Sequence, residues 1–157
     1  NVEELVISCD IEKIERVILN LLSNAIKFTS AGGSIFVSVQ NEEEWVYIKV
    51  KDDGIGIPND MKEKVFERFV QVNKSLNRLK EGSGIGLALV KSIVELHGGE
   101  IYLNDQVTVG SEFIVKLPNV AGEYEDSSFE AMIDKPINEK ILIELSDIYG
   151  VKKNFNK

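Results

Sequence analysis

Apolar residues near the start of the chain recur at intervals of three and four positions. This spacing keeps side chains on one face of an α-helix, so it predicts an amphipathic helix whose apolar face is buried. Asp10 comes just before this pattern, where its carboxylate can accept a hydrogen bond from the free amides of the first turn. We therefore predict a helix from Asp10 to about Phe28. Its apolar stripe consists of Ile14, Val17, Ile18, Leu21 and Ala25.

Shorter segments in which apolar and polar residues alternate predict β-strands. Residues 35–39 predict a half-buried strand, and residues 45–50 predict the second strand of the same hairpin. Residues 101–103 and 113–117 predict another hairpin. A short strand is also predicted at residues 5–7, ahead of the first helix.

Two further helices are predicted, a short one at residues 58–66 and a long one at residues 84–96 that stops at the pair Gly98-Gly99. Residues 70–81 are polar and lack periodicity, so we expect a mobile loop there. Because helices alternate with hairpins, the predicted fold is an α/β two-layer sandwich, a mixed sheet with helices on one face.

The chain divides by composition near Pro118. Residues 1–118 carry the predicted elements of one compact domain. Residues 119–157 form a C-terminal extension, in which residues 139–148 alternate apolar and polar and predict an added edge strand.

Composition narrows the classes of function. The chain has 157 residues, 43% of them hydrophobic, and a net charge of −8, which suits a globular domain and argues against a nucleic-acid partner. No apolar run approaches the roughly 20 residues of a membrane span, and the polar first residues do not resemble a signal peptide. Cys9 is the one cysteine, which favours a reducing compartment. We therefore expect a cytoplasmic domain, with a membrane anchor still possible elsewhere in its parent protein.

The first candidate for chemistry is a polar stripe on the first helix. Asn20, Asn24 and Lys27 lie at i, i+4 and i+7, so they fall on one side of the helix. Most such stripes are solvated faces, and that interpretation stays open here. Asn, however, is a poor helix former compared with Glu or Lys, so two Asn residues one turn apart suggest a specific role. An amide oxygen suits Mg²⁺, and a Lys ammonium suits phosphate.

The second candidate is the Asp-Asp-Gly-Ile-Gly-Ile motif that follows the second strand. It can be read as an ordinary turn, since Asp and Gly favour turns. Asp52, at the end of a buried strand, could instead accept a hydrogen bond from the exocyclic amino group that distinguishes adenine from guanine. Gly54 and Gly56 would let the backbone approach a planar base closely, with Ile55 and Ile57 as apolar walls.

The third candidate is a glycine-rich motif that opens the long second helix, where free amides favour phosphate. A dinucleotide-binding fold would need a different glycine spacing after an apolar strand, and residues 75–81 do not form one. A Walker-type Gly-Lys-Ser/Thr sequence is also absent. The motif consists of Gly82, Ser83, Gly84, Ile85, Gly86 and Leu87.

In this order and spacing, the motifs resemble those of the catalytic ATP-binding domain of bacterial sensor histidine kinases. That domain belongs to the superfamily shared with gyrase, mismatch-repair ATPases and heat-shock chaperones. The resemblance covers roughly residues 5–118. The similar segments are residues 20–28 (N box), 52–57 (first glycine box), 66–69 (F box), 82–87 (second glycine box), 97–99 and 110–113.

The resemblance implies ATP and Mg²⁺ as ligands and a role for each matching residue. It implies that Asn24 is the magnesium ligand, that Asp52 binds the adenine amino group, and that Phe28 packs beside the base. It implies that Lys27 touches phosphate and that the glycines of the second glycine box close over the phosphates.

Asn20 stands where the ATPases of the superfamily carry a water-activating Glu. Because an amide cannot accept a proton from water, the resemblance implies slow hydrolysis and favours transfer to a separate protein side chain. Many relatives have an Arg two residues beyond the F box, where this chain has Gln71. Arg68 and Arg78 are the alternatives for that phosphate contact.

We therefore interpret the chain as the catalytic domain of a two-component histidine kinase. Its acceptor would be a His on the dimerisation domain of its parent chain, and a response regulator would accept the phosphoryl group next. His97 sits at a helix end, which favours a capping role over a nucleophilic one. Two alternatives stay open: a serine-directed kinase of the anti-sigma-factor type, and a nucleotide-sensing module without turnover. We expect the domain to be monomeric and its parent dimeric.

Overall fold

The computed structural model describes residues 7–71 and 84–119. Among them are two α-helices, four strands and two short 3₁₀ helices. In chain order these are α1 (Ile11–Phe28), β1 (Ile35–Glu42), β2 (Trp45–Asp52), the 3₁₀ helices Asn59–Met61 and Lys64–Phe66, α2 (Gly86–Leu96), β3 (Glu100–Leu103) and β4 (Ser111–Pro118).

The first helix begins and ends where the sequence predicts. The Asp10 carboxylate accepts a hydrogen bond from the Lys13 N–H at 3.1 Å, so it caps α1 as expected. The helix ends at Phe28, and the N–H of Thr29 closes the last turn on the carbonyl of Ala25. The predicted apolar stripe faces inward, with Val17, Leu21 and Ala25 buried.

The four strands form one sheet in the order β1-β2-β4-β3, and the helices pack on one face of it. The predicted two-layer α/β architecture is therefore confirmed. All strand pairs among the described residues are antiparallel, so the mixed pairing predicted for the sheet is not seen among them. Of the predicted strand at 5–7, residues 5 and 6 lie outside the described residues and Ile7 lies in no strand; the predicted strand at 139–148 lies wholly outside them.

The core lies between this sheet and the two helices. Strands β2, β3 and β4 contribute alternate side chains to it, β1 contributes Ile35, and each helix contributes one stripe. Burying this apolar surface is the main force that fixes α1 and α2 over the sheet. The best-buried members are Val17, Leu21, Val46, Val50, Val90, Val94, Val115 and Leu117.

Three local predictions need correction. The strand predicted as half-buried is largely exposed, because β1 has β2 as its one described neighbour; Val37 and Val39, on the helix side, are 51% and 57% exposed. The predicted helix at 58–66 is two separate 3₁₀ turns, since nine residues form too few α-helical hydrogen bonds to be stable without strong packing. The second long helix begins at Gly86 and not at Gly84, whose φ of +68° is left-handed. Neither described α-helix is both long and apolar enough to cross a membrane.

Candidate nucleotide-binding site

Three parts of the fold approach one another. They are the C-terminal half of α1, the loop after β2 and the N-terminus of α2. The Ile55 N–H donates to the Phe28 carbonyl at 3.3 Å, which ties the loop after β2 to the end of α1. Gly86, the first residue of α2, lies against the side chain of Asn20 on α1. The fold thus brings the N box, the first glycine box and the start of α2 together.

Asp52 is a buried carboxylate, only 4% exposed, at the last position of β2. Its Oδ1 accepts a hydrogen bond from the Gly54 N–H at 2.9 Å, and the backbone N–H of Ser111 also donates to the carboxylate. Burial raises the pKa of Asp52, while these two backbone donors lower it. A hydrogen-bonded carboxylate with spare lone pairs in an apolar setting is suited to accept from an amino group of a ligand.

The glycines near Asp52 hold the loop close to its neighbours. A Cβ on Gly54 would overlap the Phe28 carbonyl oxygen, and one on Gly110 would overlap the carbonyl oxygen of Asp52. Gly110 also has a φ of +74°, which side chains rarely adopt. Gly56 approaches Gly110 in turn. The sequence predicts that Gly54 and Gly56 let a base approach closely. In the structure, both also allow close packing of protein backbone.

The polar stripe of α1 is not a solvated face. Lys27 is only 7% exposed, and its Nζ lies 5.1 Å from the centre of the Phe28 ring, a cation–π contact. Asn24 Nδ2 donates to Asn20 Oδ1 at 3.3 Å in a partly buried setting. The stripe therefore presents amide groups and a held cation beside the loop after β2.

The second glycine motif lies partly within the described residues. Gly82 and Ser83 are outside them, whereas Gly84 accepts a hydrogen bond from the Phe69 N–H at 2.8 Å. Ile85 precedes α2 as its N-cap and supplies no side-chain cap, so the first amides of α2 suit an anion. Leu87 on α2 and Ile57 after β2 are partly buried and pack against the core.

Ser111 is a residue that sequence reasoning did not place in the site. Ser111 lies within the motif at residues 110–113, but the sequence does not reveal its partner, because the pairing of β2 with β4 sets it opposite Asp52. Ser111 is buried, and its N–H is one of the two donors that hold the Asp52 carboxylate. Strand register, which long-range pairing decides, was the missing information.

The residues of α1 fit a magnesium ion. No group of three or more His, Cys, Asp or Glu that could hold a metal occurs among residues 7–71 and 84–119. Asn24 offers a neutral amide oxygen, because its hydrogen bond to Asn20 uses the nitrogen. Mg²⁺ commonly takes one or two protein oxygens and fills its other positions with water and substrate phosphate. The donor set therefore suits a cation that arrives with a phosphate ligand.

A depression of about 500 Å³ lies on the face of the sheet opposite the helices. It is bounded by Phe36, Lys51 and Glu112, which pair side by side across three strands, and by the loop that ends at Val109. It contains none of the residues predicted to bind nucleotide. Asp53 and Glu112 place carboxylates in it, which disfavours a polyphosphate.

Comparison with known proteins agrees with the geometry. Residues 9–121 match the family described as "Histidine kinase-, DNA gyrase B-, and HSP90-like ATPase". Sensor histidine kinase WalK of Bacillus subtilis is 42% identical over 130 residues, covering 82% of this chain and 21% of WalK. Circadian input-output histidine kinase CikA of Synechococcus elongatus is 42% identical over 113 residues, covering 72% of this chain and 15% of CikA. The chain thus spans about a fifth or less of the length of these relatives.

Solved structures of histidine kinases also superpose on this chain. The catalytic domain of histidine kinase ThkA, in a nucleotide-free form, superposes with a TM-score of 0.66 at 30% identity, covering 77% of each chain. The mycobacterial sensor histidine kinase MprB gives a TM-score of 0.64 at 32% identity, covering 71% of this chain and 76% of that one. The chain therefore belongs to the family of histidine kinase-, DNA gyrase B- and HSP90-like ATPases, and within it is similar to the catalytic domains of sensor histidine kinases.

Proposed function

We propose that this chain is the ATP-binding catalytic domain of a two-component sensor histidine kinase. It would transfer the γ-phosphoryl group of ATP to a His on the dimerisation domain of its parent chain, from which a response regulator takes it. The observation that carries the proposal is the buried Asp52 carboxylate, held by two backbone amides next to a loop that is hydrogen-bonded to the end of α1. The similarity to sensor histidine kinases supports the same reaction.

In this proposal Asp52 selects the base. When ionised, its carboxylate accepts hydrogen bonds and donates none. It therefore suits the amino group of adenine and opposes the carbonyl oxygen of guanine. Phe28, at the end of α1, would pack beside the base. Gly54 and Gly56, which pack closely against protein backbone, would bring the loop near the base, and Ile57 would line its apolar side.

Asn24 would hold Mg²⁺ and Lys27 would contact phosphate. When bound, the ion neutralises phosphate charge during transfer. Lys27 is already positioned by α1 and by its contact with the Phe28 ring, so little side-chain entropy is lost when it meets an anion. The start of α2, from Gly84 to Leu87, would offer backbone amides to the phosphates, with Gly82 and Ser83 as further expected contacts.

Asn20 would leave the site without a base for water. An amide cannot take the proton that hydrolysis requires, so ATP should persist until an acceptor arrives. The chain would act in the cytoplasm, where ATP is available. It would work as a monomeric domain within a dimeric parent, whose membrane anchor, where present, lies elsewhere.

Labelled ATP distinguishes this reaction from the two alternatives. The chain is incubated with γ-labelled ATP and the phosphoacceptor helices of its parent added in trans. We expect a phosphate that is stable in base and lost in acid, as phosphohistidine is, and negligible label on the chain alone. An acid-stable phosphate would instead support a serine kinase. No transfer despite ATP binding would support a non-catalytic module and contradict the proposal.

A further inference from the structure

Asn20 and Asn24 are joined by a hydrogen bond whose direction has a consequence for metal binding. Side chains on an α-helix lean towards its N-terminus, so the side chain of Asn24 meets that of Asn20 one turn earlier. The Nδ2 of Asn24 donates to Oδ1 of Asn20 at 3.3 Å. A primary amide has one donor end and one acceptor end. Engaging the nitrogen of Asn24 therefore decides which end of its amide stays available.

The amide of Asn20 is confined on its other side by α2. A Cβ built on Gly86 would lie 2.8 Å from Nδ2 of Asn20 and 2.9 Å from its Oδ1. Real Cβ atoms do not approach other atoms this closely, so an Ala at position 86 would displace the Asn20 amide. Gly86 starts α2 with helical backbone, so Ala fits the backbone there and the conflict is with Asn20. The start of α2 thus keeps Asn20 in the position from which it accepts the hydrogen bond.

We propose that Asn20 is a positioning residue that orients the amide of Asn24 so that its oxygen faces the cation. This inference rests on the proposed function, in which Asn24 is the magnesium ligand. Without Asn20 the Asn24 amide could turn and present its NH₂ group, which repels a cation. A hydrogen bond donated by the nitrogen also polarises the amide and makes its oxygen a better ligand.

The proposal separates orientation from ligation, which a double-mutant cycle can measure. The two oxygens of a carboxylate are equivalent, so an Asp at position 24 presents an oxygen whichever way it turns. Asn20 should therefore matter to magnesium binding when residue 24 is Asn and cease to matter when it is Asp. A merely structural role of Asn20 would act equally in both backgrounds.

The experiment uses calorimetry with a non-hydrolysable ATP analogue on the full chain, with Mg²⁺ and with EDTA. The measured quantity is the ratio of the two affinities, termed the magnesium enhancement. Asn20→Ala should lower it about three- to tenfold, the effect of about one hydrogen bond. Gly86→Ala, which displaces Asn20 without removing it, should lower it in the same direction. In the Asn24→Asp background, both changes should alter it by less than about twofold.

Each outcome decides one point. If Asn24→Ala leaves the magnesium enhancement unchanged, the metal assignment in the proposed function is wrong. If Asn24→Ala removes it and Asn20→Ala does not lower it, Asn24 is a ligand and the positioning role of Asn20 is wrong. An Asn20→Ala effect of equal size in the Asn24→Asp background also overturns the positioning role. Thermal unfolding of each variant shows whether it is folded at the assay temperature.

Discussion

Replacing Asp52 by Ala should weaken ATP binding strongly. The side chain is 4% exposed and held by the N–H groups of Gly54 and Ser111, so its position toward a ligand is fixed before binding. A hydrogen bond to a charged group contributes about 1.5–3 kcal/mol. At about 1.4 kcal/mol for each factor of ten, the loss corresponds to roughly a tenfold to hundredfold weaker affinity.

The same substitution should also cost stability, so its folding needs a control. Ala leaves the buried N–H of Ser111 and the partly buried N–H of Gly54 without their acceptor, at up to about 1–3 kcal/mol for each group. Asp52→Asn retains one oxygen and the shape of the side chain, but that oxygen has two lone pairs for three donors: the N–H groups of Gly54 and Ser111 and the amino group of the base. It should therefore lose ATP affinity while disturbing the fold less than Ala does.

Calorimetric titration with ATP and GTP is the assay, and Asp53→Asn is the matched control. Asp53 is the neighbouring, exposed acid; its Oδ1 accepts from the Ser34 N–H at 2.9 Å, a bond that Asn preserves. The control should keep ATP affinity within about threefold, well below the expected effect at Asp52. Equal affinities of the unsubstituted chain for ATP and GTP, or an unchanged ATP affinity in a folded Asp52→Ala, would refute the assignment.

Two further predictions concern stability. Asp10→Ala removes the cap of α1 and should lower the free energy of unfolding, measured by urea titration, by about 1 kcal/mol. The control is Asp60→Ala at an exposed position, which should change it little. An equal effect of the two substitutions would contradict the capping role. Burial raises the pKa of Asp52 above its ordinary value of 3.8. Below that pH the carboxyl is protonated in both states and does not change the free energy of unfolding. As pH rises through the raised pKa, the buried carboxyl ionises and the free energy of unfolding falls. The stability of Asp52→Asn relative to the unsubstituted chain should therefore increase with pH in that range. The measurement is the thermal midpoint of both proteins from about pH 3.5 to pH 7. A difference between the two midpoints that stays constant or falls with pH would contradict this.

The parts of the fold that the sequence predicts well depend on local physics. The span of α1 follows from the Asp10 cap and an apolar stripe, and the hairpins follow from alternation, because both patterns act over a few residues. The exposure of Val37 and Val39 could not be read in this way. Alternation predicts that a face is apolar, and the neighbours of the strand decide whether that face is covered.

For the candidate site, too, local sequence patterns identify individual residues but not the contacts between distant ones. Asn20 and Asn24 stand out in the sequence because Asn is a poor helix former, whereas Asp52 stands out as part of a motif that also favours an ordinary turn. The contacts of Ser111 with Asp52 and of Gly86 with Asn20 join residues more than fifty positions apart. They depend on strand register and helix packing, which local patterns do not encode.

We infer that α1, the loop after β2 and the start of α2 form one site for Mg-ATP. A crystal structure of the chain with a non-hydrolysable ATP analogue and Mg²⁺ tests it most directly. We expect the adenine amino group within hydrogen-bond distance of the Asp52 carboxylate, the Asn24 oxygen bound to the ion, and the phosphates at the N-terminus of α2. A nucleotide bound instead in the depression between Phe36 and Val109, or an ion that Asn24 does not contact, would contradict it.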